Sequence, residues 1–111
     1  MADNESRLVY ECMRELGKHG HVVRCNAGNA RLPDGRLFRG MPKGWCDIML
    51  FLPGGKACFI ECKVGRNRLS KEQEKLLQRM CGLGFTAGVA RSVNEAMALC
   101  NLVKPGKMDK R

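Results

Sequence analysis

Two acids and a lysine have the types and spacing for chemistry: Asp47, ending Gly44-Trp45-Cys46-Asp47, and, after thirteen intervening residues, the pair in Glu61-Cys62-Lys63. Carboxylates are hard oxygen donors that suit Mg²⁺. A divalent ion between two of them polarises a phosphate ester and lowers the pKa of a bound water. A lysine beside it orients or deprotonates that water, or stabilises charge building on the phosphate. An E-x-K pair alone is ordinary surface charge at a strand end. The aspartate upstream, across a Gly-rich hairpin, is what gives the pattern weight.

The three side chains meet only if the backbone brings them together. Residues 47–52 read as an apolar strand that opens on the aspartate, and 57–63 as a second strand, apolar until Glu-Cys-Lys. Between them, Pro53-Gly54-Gly55 is a turn signal. Strand side chains alternate faces, so Glu61 and Lys63 point the same way. Asp47 joins them if the turn is odd-numbered, with Leu52 opposite Lys56. Pairing Asp47 with Cys62 instead would turn the aspartate to the other face.

The remaining elements frame this hairpin. Residues 5–17 read as a helix with Leu8, Val9, Cys12 and Leu16 on its apolar face. Glu5 shares that face and Glu11 does not. Residues 21–25 are a short strand. Residues 26–44, rich in Gly and Pro, read as one long loop carrying Arg31, Arg36, Arg39 and Lys43; so long a loop is usually functional or mobile. Ser70 and Gln73 form a capping box before a helix with Leu76, Leu77 and Met80 on one face. Gln73 lies on that face too, so it serves either the cap or the site. A strand at 85–91 follows. Ser92 with Glu95 opens a last helix to about Val103, and the basic tail 104–111 is expected to fray. The order α-β-β-β-α-β-α gives an α/β fold, a small mixed sheet flanked by helices, in a single domain spanning 1–111.

Composition narrows the partners. Twenty Lys/Arg against eleven Asp/Glu leave a net charge of +9, which points to a polyanion such as nucleic acid. Seven cysteines, an odd number without a C-x-x-C pair, read as reduced small hydrophobes rather than disulfides or a zinc site. No apolar run is long enough for a membrane span, and the acidic N-terminus lacks the layout of a signal peptide. The expected location is the cytoplasm or the nucleoid. Aromatic residues are sparse, which favours recognition by shape and backbone over base stacking.

The pattern resembles the PD-(D/E)xK nuclease superfamily and, more narrowly, the virus-type replication-repair nuclease domain, VRR-NUC. The resemblance runs from Glu5 to about Met97. It rests on the helix opening at Glu5-Ser6, the GWCD segment, Leu52-Pro53-Gly54-Gly55, and Phe59-Ile60-Glu61-Cys62-Lys63. It continues through Leu69-Ser70 with Glu72-Gln73, then Leu83-Gly84-Phe85, and ends at Ser92-Val93-Asn94-Glu95. It implies a restriction-endonuclease-like fold and a metal-dependent endonuclease using Mg²⁺ or Mn²⁺. Asp47 and Glu61 become metal ligands, joined by Glu5. Lys63 becomes the catalytic lysine, with Gln73 beside the active site. Cys46 departs from the small residue or proline that often precedes the family's aspartate. Free-standing members resemble junction resolvases that act as homodimers, so branched DNA, a four-way junction above all, is the expected substrate. Arg31, Arg36, Arg39, Lys43, Arg66, Arg68 and Lys71, with Lys56, would hold its phosphates. A flap or nicking endonuclease with the same site, and a basic DNA-binding module without catalysis, are the alternatives.

Overall fold

The computed structural model describes residues 4–25 and 29–102. Helix α1 (Asn4–Leu16) buries Leu8, Val9, Cys12 and Leu16, a stripe one face wide, and stops where the Gly17 N–H closes on the Met13 carbonyl. Strand β1 (His21–Arg24) follows. Strands β4 (Ile48–Leu52) and β5 (Lys56–Cys62) form the central hairpin. Helix α2 (Lys71–Gly82), strand β6 (Thr86–Ala90) and helix α3 (Val93–Leu99) complete the body.

Four strands make one sheet in the order β1-β4-β5-β6. β1 and β5 flank β4 antiparallel, while β6 joins β5 in parallel after the α2 crossover. Alternation then divides the sheet. Ile48, Leu50, Cys58, Ile60 and Cys62 face the side carrying α1 and α3, where they pack with Leu8, Val9, Cys12, Ala96 and Met97 in one core. Phe59 and Glu61 point to the opposite side, toward α2. Full burial of Ile48, Leu50 and Ile60 contributes about 1.5–3 kcal/mol each.

The 26–44 segment is more structured than its sequence suggests. It holds a separate two-stranded sheet, β2 (Asn29–Arg31) with β3 (Leu37–Arg39). Three-residue strands are too short to display alternation, and the surrounding glycines and prolines mask them. The Pro33-Asp34-Gly35 turn between them was the visible signal. The last helix also ends early: Cys100 caps it, and Asn101 at φ 58° turns the chain away. The tail at 104–111 lies outside the described residues. No helix among the described residues is long and apolar enough to cross a membrane.

Candidate active site

The register of the central hairpin decides the site. Leu52 pairs with Lys56 and Ile48 with Ile60 around Pro53-Gly54-Gly55, as the odd-numbered turn requires. Gly54 and Gly55 both take positive φ, 84° and 76°, which side chains with a Cβ rarely adopt. One residue beyond the ladder, the Asp47 N–H still donates to the Ile60 carbonyl at 3.2 Å, so the aspartate arrives opposite Glu61. Gly44 makes the approach possible. At φ +87° it passes under the first turn of α2, where a Cβ would lie 2.8 Å from the Glu72 carbonyl carbon.

Asp47 is fixed by its neighbours. Its Oδ2 accepts from the Cys62 N–H at 2.9 Å, and its backbone carbonyl accepts from the Cys25 N–H at 2.7 Å. Glu61 is only 3 % exposed. Its Oε2 accepts from Gln73 Nε2 at 3.0 Å and lies 3.8 Å from Lys63 Nζ. Its Oε1 is buried and has no hydrogen-bond partner among the described residues. Beneath Glu61, Phe59 meets Trp45 and Phe85 edge-on, with ring centroids 6.1 and 5.5 Å away. Phe59, two residues before Glu61 on the same strand, shares its sheet face.

The electrostatics follow from that crowding. Burial and the adjacent Asp47 charge push the Glu61 carboxyl up to about 8, against the downward pull of Lys63. Burial also raises Asp47, opposed by the Cys62 N–H and a hydrogen bond with Glu61. The Glu5 charge raises both acids. Two carboxylates so close and so dry are unfavourable as a dianion, so they share a proton or take up a cation. All-oxygen donors and the unsatisfied Oε1 fit a hard divalent ion. Among the described residues, no three Asp, Glu, His or Cys side chains converge as a ready-made ligand set. Glu5, half-buried on α1, reaches the pair through its charge.

Gln73 does both things its position allows. Its Oε1 accepts from the Ser70 N–H at 2.8 Å while the Ser70 hydroxyl accepts from the Gln73 N–H, closing the capping box. Its Nε2 is then left to hold Glu61. The expected phosphate-binding residues are all exposed but sit on several elements: Arg31, Arg36 and Arg39 on the β2–β3 hairpin, Lys43 before β4, Arg66 and Arg68 after β5, Lys71 opening α2, and Lys56 opening β5. The expected single loop 31–43 is therefore a hairpin arm followed by a short return.

Some basic residues escaped the sequence reading. Lys75 and Arg79 line an open groove with Lys43 along α2; their spacing of four was the available signal. Arg24, on β1, lowers the Asp47 carboxyl by its charge, and its guanidinium sits 5.4 Å over the Tyr10 ring. A four-residue strand gave no hint of that.

A family model described as the VRR-NUC domain matches residues 6–94. A solved structure described as a VRR_NUC domain superposes with a TM-score of 0.66 at 20 % identity, over 90 % of this chain and 97 % of that one. At that identity the likeness speaks for the fold. No curated protein matches the sequence.

Proposed function

From the premise that this chain belongs to the VRR-NUC nuclease family, we propose that it is a divalent-metal-dependent endonuclease acting on branched DNA, a four-way junction above all. The observation that carries this reading is the acid pair, half-buried Asp47 beside buried Glu61, with Glu61 Oε1 lacking a donor among the described residues and Lys63 Nζ 3.8 Å from Oε2. Asp47 and Glu61 would hold Mg²⁺ or Mn²⁺, with Glu5 adding negative charge. When bound, the ion supplies Lewis-acid polarisation of the phosphate and a more acidic water.

The chain's own groups do the rest. The Cys62 N–H and Gln73 Nε2 hold the two carboxylates in fixed orientations, so little reorganisation accompanies the reaction. Lys63, tethered beside Glu61, donates hydrogen bonds to the attacking water or to the phosphate oxygen on which charge builds. The surplus of positive charge, +9, supports a phosphate-rich substrate. A homodimer suits a four-way junction, because both have two-fold symmetry and two sites then face two strands.

The test is a cleavage panel of four-way junction, flap, duplex and single strand, with Mg²⁺, Mn²⁺ or EDTA. Paired incisions in the junction, abolished by EDTA and by Asp47→Asn, are expected. Metal-dependent cutting of flaps by a protein that sediments as a monomer would move the reading to a flap nuclease. Undiminished cleavage in EDTA would overturn the metal site itself.

A further inference from the structure

Among the described residues the β2–β3 hairpin contributes none to the core cluster, yet it is rooted at the acids. Its strands pair with each other and pack substantially on no other helix or strand among the described residues. A two-stranded hairpin standing alone is at best marginally stable in water. The arm departs at Cys25, whose N–H donates to the Asp47 carbonyl, and returns through Trp45-Cys46 into Asp47 itself. Whatever the arm holds therefore lies within a bounded distance of the reacting phosphate.

Its surface is chemically distinctive. Arg31 pairs with Leu37 across the ribbon, and Arg39 lies two residues beyond Leu37, so the three share a face. The Arg31 guanidinium donates to the Gly35 carbonyl at 2.7 Å, and Arg36 Nε pairs with Asp34 at 2.6 Å. Both interactions brace the turn. Arg39 has no ion-pair partner among the described residues. Leu37 stands 43 % exposed between the arginines.

Resting on the nuclease reading above, we propose that the β2–β3 hairpin is a groove-docking arm, a two-stranded ribbon that lies in the major groove of duplex DNA to one side of the cut. A major groove about 12 Å wide admits such a ribbon. The arginines complement the phosphates lining it, and Leu37 finds there the apolar contact that a thymine methyl offers. From Cys25 to the turn at Asp34 the chain can extend at most about 30 Å, at about 3.3 Å per residue. That is less than one turn of B-form duplex, about 34 Å. The arm therefore grips within about ten base pairs of the scissile phosphate, and a substrate without that duplex forgoes its contribution.

Two readouts test this. Hydroxyl-radical footprinting of the wild-type protein on a long-armed four-way junction should protect duplex within about ten base pairs on one side of the site. Replacing residues 29–39 by a short Gly-Ser link, and separately Arg31→Ala with Arg39→Ala, should remove that protection while protection at the branch persists. Footprinting needs no turnover, so it answers even if the nuclease reading fails. In the second readout, duplex beyond the cut is lengthened from about four to twenty base pairs. Wild-type kcat/KM should rise roughly tenfold and level off near one helical turn, and both variants should lose that dependence. Protection or length dependence surviving in the folded double-arginine variant would overturn the proposal. So would loss of dimer mass, in place of a vanished footprint, on removing the arm.

Discussion

The acidic corner and the basic arm are held in opposite ways. Asp47, half-buried, and Glu61, buried, sit at the end of the central strands, cross-braced by Cys62 and Gln73, and made uncomfortable by each other. The arm's arginines are exposed, held mainly by contacts within their own turn. Electrostatics in the corner is local and strong because water is excluded. On the arm it is diffuse and screened by salt. The corner should therefore govern the rate of the chemical step, and the arm where and how tightly the substrate is held.

The largest effects should separate these two roles outright. Asp47→Asn, Glu61→Gln and Lys63→Ala are each expected to lower kcat by about 10²–10³-fold or more. Binding measured by gel shift should stay the same or tighten in the two acid variants, because each removes a negative charge facing the phosphates. If an acid variant lost binding and turnover in equal measure, the division between corner and arm would collapse.

A smaller effect resolves the two duties of Gln73. Gln73→Ala removes both the cap and the hydrogen bond to Glu61. It is expected to reduce activity about 10–100-fold, the range for a group that orients a ligand. Ser70→Ala removes the hydroxyl that accepts from the Gln73 N–H but leaves the Ser70 N–H to hold the amide. It should cost about 1 kcal/mol of stability and little activity. Equal activity losses in the two variants would reduce Gln73 to a capping residue.

Legibility in the sequence follows the same divide. The hairpin register could be read because turn length and side-chain alternation are rigid rules, and a slip would have exposed the whole apolar face of β4. Gln73 and the cap of α2 could be read because helix starts have a fixed chemical grammar. The arm could not. Its strands are three residues long, and their pairing rests on the turn rather than on any hydrophobic pattern. Arg24 escaped for a related reason: its influence on Asp47 acts through space between two strands. Six of the seven cysteines are buried, as small hydrophobes should be, while Cys81 on α2 is exposed. Cys12, Cys58, Cys62 and Cys100 pack within the main cluster, and Cys46, buried beside Cys25, has its thiol pushed up to about 12 by burial.

A third test weighs the corner's cost to the fold in EDTA. The folded-state value for Glu61, about 8, lies above its ordinary 4.5. Between those values the folded protein holds a proton that the unfolded chain releases, so stability falls as pH rises through this window and stays reduced above it. Glu61→Gln carries no such penalty. Its advantage over wild type should be absent near pH 4, grow toward pH 8 and reach about 1–3 kcal/mol, the scale for an unsatisfied buried group. Each kcal/mol corresponds to about 4–8 °C in a domain of this size. Thermal melts across pH in EDTA read this directly. A flat difference between the two proteins would mean that Glu61 titrates normally and that its burial carries no electrostatic penalty.

The smallest effect probes the arm residue by residue. Counterion release makes log Kd for DNA depend linearly on log salt, and removing one Lys/Arg–phosphate interaction reduces the slope by about one unit. Arg39 has no competing acid among the described residues, so Arg39→Ala should remove close to that full unit. Arg36 is already paired with Asp34 at 2.6 Å, and to reach a phosphate it must give up that partner. Both side chains are largely exposed, at 76 % and 51 %, so the pair is weak and salt-screened, but it still offsets part of the charge Arg36 offers. Arg36→Ala should therefore reduce the slope by less than Arg39→Ala, and Asp34→Asn should steepen it while tightening binding. Equal slopes for the two arginine variants would mean that Asp34 releases Arg36 completely on binding. No change in either would mean that the arm does not touch DNA, leaving the grip to Lys43, Arg66, Arg68 and Lys71.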